Sequence, residues 1–352
     1  MIIHLIANDG SPLTVTPDRI WGQGVGGAEL AMMSLMETFA ARGHEVTVYN
    51  DPSSPGVYDG VTYDNRAAFV TENARDVLII FRSPNALVNF RRLSKTQRII
   101  WWSTDQYTIG SFAELAGLVQ FCVTISPFHT NYHKARYGVP AEKIGHIDLQ
   151  VRLQDYDEVE VERVRKQLIF CSIPDRGLPI LKKVWQRVLP EVPEAALTIT
   201  SDYTLWGSPT PNNQQHRLAW AMENKISFLG KVPRKELVRH QLASEILSYP
   251  CIYEELFCIS AAECQVAGAY PVTSGYGALE TTNQFGDVVT GTPSNPQYAE
   301  LFANHLIGLL TDEYEYLQKR RENMMIAARR RFNPTLIAET WEHLFDKGTL
   351  PK

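Results

Sequence analysis

No apolar run in this chain approaches the roughly 20 residues needed to cross a bilayer. The opening MIIHLIANDG lacks a basic n-region and is far too short in apolar length for a signal peptide. Five cysteines, an odd number, fall mostly in apolar runs such as FCVTIS and LIFCSIP, and no C-x-x-C pair occurs. This argues against a disulfide scaffold and for buried, reduced thiols in a cytoplasmic protein. Any membrane contact would then be peripheral, at the inner surface. Neither sign of charge is in large excess: 34 Lys plus Arg face 39 Asp plus Glu, a net charge of −5, which gives no general reason to expect nucleic-acid binding. Fixed-period repeats and low-complexity segments are likewise missing.

What is present is a globular composition, 44% apolar and 21% charged, over 352 residues, enough for two domains with separate cores. Short β-branched and aromatic runs alternate with helical patterns, which predicts parallel sheets covered by helices on both faces. In the first half the expected strands are IIHLIA, EVTVYN, DVLIIF, RIIWWST and FCVTIS. Helices are expected over AELAMMSLMETFAARG and FHTNYHKARYG, each closed by a glycine. The acidic stretch RLQDYDEVEVERVRK, from Arg152, reads as the crossover into a second series: QLIFCSI, ALTITS, ISFLGKV, EILSYP and YPVTS.

The stretch GQGVGGAEL spells the dinucleotide fingerprint G-x-G-x-x-G at Gly22, Gly24 and Gly27. In a dinucleotide fold that fingerprint follows the first strand at once. Here 14 residues, NDGSPLTVTPDRIW, intervene. What survives is a loop feeding a helix, whose amides and dipole suit a phosphate or a sugar hydroxyl. Asp51, after the second strand, keeps an oxidoreductase reading open.

In the second half, SYPCIYEELFCISAAECQVAGAYPVTSGYGALE follows a strand. Glu254 and Glu255 fall on the loop, a helix is expected from Phe257 or Cys258 to Gly268, and Glu263 lies eight residues beyond Glu255. Carboxylates flanking the free amides of Phe257, Cys258, Ile259 and Ser260 suit a sugar nucleotide: the amides take the diphosphate and the acids accept from hydroxyls.

Together GGAEL, IPDRGLPILKKVW, FLGKV, the glutamate segment with AGAYPVTS, and the closing FNPTLIAETWEHLF resemble the retaining glycosyltransferases of family GT4, across nearly the whole chain. The resemblance implies the GT-B fold: two Rossmann-like parallel-sheet domains facing across a cleft, residues 1–152 on the acceptor side and 153–332 binding the donor, with a helix in 333–352 crossing back to the first. It implies that Glu255 contacts the transferred sugar and Glu263 the nucleotide ribose. Arg176 would clamp the donor diphosphate, Gly26 and Gly27 face the donor phosphate, and Gly230 lie near the nucleobase. The family's E-G-F-G is altered, since Leu256 and Cys258 replace both glycines. Thr104 stands where a histidine is usual; Asp105 beside it is the expected polar group at the reaction centre, the alternative being a helix-capping or turn aspartate. Only Arg176 is clearly placed for the diphosphate. Ile173 stands near the usual arginine, and Lys182 and Lys183 read as a solvated helix face.

The implied reaction transfers a sugar from a UDP-, GDP- or ADP-linked donor to an acceptor hydroxyl, with retention and without a metal or other cofactor. Alternatives are a GT-B sugar-nucleotide epimerase and a non-catalytic nucleotide-sugar-binding protein. Three motifs are read as structural. Asp155-Tyr156-Asp157 is solvated charge rather than a metal-holding D-x-D. His129 and His133 lack the Glu of H-E-x-x-H and form a structural pair. The basic run RRENMMIAARRRF reads as a solvated helix rather than a lipid contact. Tyr249, Tyr253, Trp101 and Trp102 are read as core aromatics rather than sugar platforms.

Overall fold

The computed structural model describes residues 1–7, 16, 17, 22, 24–82, 93, 95–106, 117–206, 212–311 and 313–351. Most of the segment between the first strand and the glycine loop lies outside the described residues. The chain divides into two units, one of Met1–Ile20, Ala28–Gln150 and Asn333–Lys352, the other of Trp21–Gly27 and Val151–Phe332.

Among the described residues, the first unit holds strands β1 (Ile2–Ala7), β2 (Glu45–Tyr49), β3 (Gly56–Tyr58), β4 (Val61–Asp64), β5 (Arg75–Phe81), β6 (Thr96–Trp102), β7 (Phe121–Thr124) and β8 (Ile144–His146). They form one sheet in the order β3-β4-β2-β1-β5-β6-β7-β8, parallel except for the β3–β4 hairpin. Consecutive apolar residues in β5 and β6 are buried on both faces, as a helix-covered parallel sheet requires. The helix Gly27–Ala41 ends in a Schellman motif, in which Gly43 donates to the Ala40 carbonyl and His44 to that of Phe39. The helix Pro127–Tyr137 is capped by Ser126 and closed by Gly138 in the left-handed conformation.

A third helix of this unit, Pro334–Lys347, starts at an Asn333 cap. Its buried residues Ile337, Ala338, Trp341, Leu344 and Phe345 recur at helical spacing. Trp341 meets Trp102 edge to face at 5.2 Å between ring centres, and Glu342 bonds both Arg42 and His44.

The second unit holds β9 (Gln167–Phe170), β10 (Ala196–Ile199), β11 (Ile226–Phe228), β12 (Ile246–Tyr249), β13 (Tyr270–Ser274) and β14 (Asp287–Val289). Every pairing is parallel, in the order β11-β10-β9-β12-β13-β14. This is the doubly-wound order, whose direction reverses between β9 and β12. The helix Leu178–Glu191 buries Leu178, Leu181, Val184, Trp185 and Val188 along one stripe and packs against Tyr298–Leu310.

Two expectations of solvated charge are corrected here. Asp155 and Tyr156 are buried, because Arg234 reaches Asp155 at 2.9 Å and supplies the counter-charge; only Asp157 is exposed. The basic run belongs to the helix Tyr314–Arg331, and much of it is engaged within the unit. Arg321 is buried and donates to the Gly268 carbonyl, Arg320 pairs with Asp287, and Arg329 pairs with Asp157.

Candidate functional site

At the reversal between β9 and β12 the connections leave in opposite directions, which opens a crevice at the carboxyl ends of those strands. Two residues meet there. Arg176 ends the short turn Pro174–Arg176 after β9, and Glu255 lies on the loop after β12. Arg176 Nη1 lies 2.8 Å from Glu255 Oε1 and 2.9 Å from Oε2, and the guanidinium carbon stands 4.5 Å from the Tyr253 ring centre. Burial alone would lower the Arg176 pKa, but Glu255, with smaller contributions from Tyr249, Tyr253 and Cys258, together more than offset it and the group is held above its ordinary value.

Two glycines permit this approach. A Cβ at Gly177, where φ is 130°, would stand 2.4 Å from the Pro250 carbonyl oxygen; one at Gly277, φ 65°, would stand 2.4 Å from that of Glu255. Without those side chains the turn after β9 and the loop after β12 come together, and Ala278 donates to the Glu255 carbonyl at 2.6 Å.

The helix after Glu255 runs Ile259–Ala267, so Phe257 precedes it and Cys258 is its N-cap. Cys258 has φ 72° and ψ 78°, a left-handed conformation that glycine adopts freely and a cysteine does not. The backbone therefore keeps the glycine-like turn with another residue in it. The amides of Ala261 and Ala262 are closed onto the Cys258 carbonyl, which leaves Ile259 and Ser260 as the leading amides. The Ser260 hydroxyl bonds the Cys171 carbonyl at 2.7 Å, and the Phe257 ring packs edge to face on Phe332.

Glu263 sits in the middle of this helix and is 3% exposed. Arg234 Nη1 reaches its Oε1 at 2.6 Å and Gln241 Nε2 its Oε2 at 3.0 Å. The same Arg234 bonds Asp155, and Tyr156 bonds Gln241. Glu263 is thus part of a buried polar network, distinct from the Arg176–Glu255 pair. Gly230, φ 77°, follows β11; a side chain there would stand 2.6 Å from Arg217 Nη2 and 3.3 Å from Asp202 Oδ2. Gly24 and Gly27 group with this unit, and any side chain would collide with the Val232 carbonyl and with Ile259 respectively. Gly26, between them, is half-buried.

In the first unit the sheet reverses between β1 and β5, and three charged side chains meet at that end. Arg82, after β5, pairs with Glu29 at 2.7 Å and with Asp105 at 2.7 Å, and reaches the Thr104 hydroxyl at 3.3 Å. Arg82 has φ 64°, an uncommon conformation for a residue other than glycine. Asp105 keeps 45% of its side chain exposed. Its carbonyl lies 3.1 Å from His129 Nε2, while His133 Nε2 lies 2.7 Å from the Ser103 hydroxyl. Burial pulls both imidazoles down, His133 to about 4 and His129 well below its usual range with His133 as the second cause. Both histidines are structural. Asp51 is bound by Arg66 through its amide and guanidinium. Lys182 reaches the Ala219 carbonyl, in the helix Asn212–Trp220, and Glu223 just after that helix.

Sequence reasoning missed Arg234, Arg82 and the polar role of Tyr249. Trp101 and Trp102 are core residues, as expected. Tyr249 is equally buried, yet its hydroxyl donates to Glu255 Oε1 at 2.6 Å. Arg234 carried one weak signal, an arginine at the start of the helix that follows the FLGKV strand end.

Residues 174–331 match the family model described as glycosyl transferases group 1. Over the whole chain the fold superposes on sucrose-phosphate synthase from Thermosynechococcus elongatus, with TM-score 0.73 at 14% identity, covering 99% of each chain. It also superposes on HepE from Anabaena in complex with UDP-glucose, with TM-score 0.73 at 15% identity, covering 98% of this chain and 100% of that one. The catalytic domain of starch synthase IV from Arabidopsis thaliana, bound to ADP and acarbose, gives TM-score 0.72 at 12% identity, covering 98% and 99%. No curated protein matches in sequence. The chain resembles the group 1 glycosyl transferases and has the GT-B fold, with two parallel-sheet α/β domains.

Proposed function

We propose that this protein is a retaining glycosyltransferase that takes a sugar from a nucleoside-diphosphate donor and delivers it to an acceptor hydroxyl. The observation that carries the reading is the Arg176–Glu255 pair at the reversal of the second sheet, beside the leading amides of Ile259 and Ser260. An arginine and a helix N-terminus supply positive charge for a diphosphate, and a carboxylate next to them accepts from sugar hydroxyls. Similarity to HepE solved with UDP-glucose and to a starch synthase solved with ADP supports a nucleotide-sugar donor.

In this reading Arg176 and the amides stabilise the charge that develops on the departing diphosphate. Glu255 orients the sugar, and the leaving phosphate takes the proton of the incoming hydroxyl on the same face. Glu263 serves the ribose end of the donor through its helix, and Gly230 leaves room for the base. The loop of Gly26 and Gly27 lies toward the donor phosphate. Asp105 is the polar group of the first unit assigned to the reaction centre. Transfer proceeds without a bound metal, so full activity is expected after chelator treatment.

The test is a thermal-shift panel of UDP, GDP, ADP, CDP and dTDP, their sugar conjugates, and NAD(H). At a hundredfold excess over its dissociation constant the true donor adds about 3 kcal/mol of apparent stability. Turnover of that donor, with the product anomer read by NMR, then tests transfer and retention. A shift with NAD(H) alone overturns the reading, as does inversion for the stereochemical part.

A further inference from the structure

Glu255 is held by a group besides Arg176. Tyr249 is the last residue of β12 and is 1% exposed, with its hydroxyl 2.6 Å from Glu255 Oε1. That oxygen also has Arg176 Nη1 at 2.8 Å and the Cys251 thiol at 4.0 Å. Oε2 has Arg176 Nη1 at 2.9 Å. A carboxylate oxygen has two lone-pair directions. Among the described residues, Oε1 is therefore filled by the phenol and the guanidinium, while Oε2 has Arg176 alone and keeps a direction for a further donor.

The phenol is itself fixed. Its oxygen lies 3.1 Å from the Ser172 hydroxyl, and its ring packs on Phe170 at 5.6 Å between centres. Burial first, then Cys251 and Glu255, push its pKa well above the usual phenol range, so it remains a donor. A phenylalanine would fill the same ring volume, so the oxygen is there for Ser172 and Glu255.

We propose that Tyr249 is a positioning residue, which occupies Oε1 of Glu255 and turns the carboxylate so that Oε2 accepts a hydroxyl of the transferred sugar. The inference rests on the glycosyl-transfer reading above. A hydrogen bond to an ionised acceptor is stronger than a neutral one, and small errors of placement at a reacting sugar cost large factors in rate.

The experiment uses the full chain and the donor found by the binding panel. Tyr249→Phe is expected to lower kcat by about 10- to 100-fold while the dissociation constant of the bare nucleoside diphosphate stays within about twofold. Monodeoxy donors supply the readout that a merely structural role would not move. The wild type loses rate sharply when the hydroxyl held by Oε2 is missing, and Tyr249→Phe loses much less, so the two changes are non-additive. Should that variant fail to fold, Ser172→Ala carries the test, with kcat lowered about 2- to 5-fold and nucleotide affinity kept. A Tyr249→Phe enzyme with at least half the wild-type kcat overturns the inference, and so do equal losses for every deoxy donor in both forms. In the substitute test, unchanged kcat in Ser172→Ala overturns it. A wild type that turns over no nucleotide sugar overturns the parent reading, and this inference with it.

Discussion

Arg234 Nη1 lies 2.6 Å from Glu263 Oε1, and neither side chain is more than 4% exposed. Burial would lower the Arg234 pKa, yet Glu263, Tyr156 and Asp155 together more than offset it, so the arginine stays charged. Removing one partner of such a pair leaves a charge without compensation inside the domain. Arg234→Met is expected to cost about 3–5 kcal/mol, read as a lower urea midpoint. A loss under about 1 kcal/mol would show that the network contributes little.

Arg176 is expected to divide differently between stability and binding, because 26% of its side chain is exposed. Arg176→Ala should weaken nucleoside-diphosphate affinity by at least about tenfold, the order of one charge-assisted contact. Titration calorimetry decides it, and an unchanged dissociation constant removes Arg176 from the diphosphate site. Glu255→Gln should abolish transfer and keep a native circular dichroism spectrum; retained turnover would end the assignment of Glu255.

Cys258 offers a test of backbone strain. Glycine at that position relieves a left-handed turn that costs about 1–2 kcal/mol for other residues, so Cys258→Gly should fold and retain nucleotide binding. Cys258→Val adds a branch at Cβ in the same conformation and is expected to destabilise by about 2 kcal/mol. If valine is tolerated as well as glycine, the turn is not constrained as described.

His129 and His133 predict an acid limb. Both have folded pKa values below the unfolded value of about 6.5, His133 at about 4. As pH falls below about 6.5 the unfolded chain takes up protons that the folded chain does not, so stability drops toward pH 4 and is whole above the window. For His133 the shift corresponds to about 3 kcal/mol. Urea midpoints of His133→Gln and wild type, compared at pH 7 and 4.5, should show a shallower fall in the variant. Parallel falls would remove His133 as a cause.

Asp105→Asn keeps the shape of the group that faces Arg82 and removes its charge. Transfer is expected to drop about 10²-fold, with donor affinity within about twofold. Weaker donor binding at full kcat would contradict a role at the reaction centre.

The long strands were legible in the sequence because their β-branched and aromatic runs are buried on both faces, as in DVLIIF and RIIWW. The short strands β3, β4, β8 and β14 were not, since GVY, VTYD, IGH and DVV give neither a period to count nor a marked apolar run. At the site, Glu255 and Arg176 could be named as types in motifs, but their contact joins residues 79 apart in the chain. The same separation hides the Arg234–Asp155 pair, and this is why Asp155 reads as solvated charge until its partner is seen. Cys258 was visible as a departure from E-G-F-G; that the turn survives the departure depends on φ, which composition does not carry.

Because Pro334–Lys347 completes the first unit, that unit is assembled from pieces lying on either side of Val151–Phe332. During synthesis the second sheet has all its strands before the first has Trp341 to cover Trp102. The second unit can reach its native form on the ribosome, while the first waits with an apolar face open until Asn333–Lys352 has been made. Damage to that late helix would therefore be felt in the domain that was translated first.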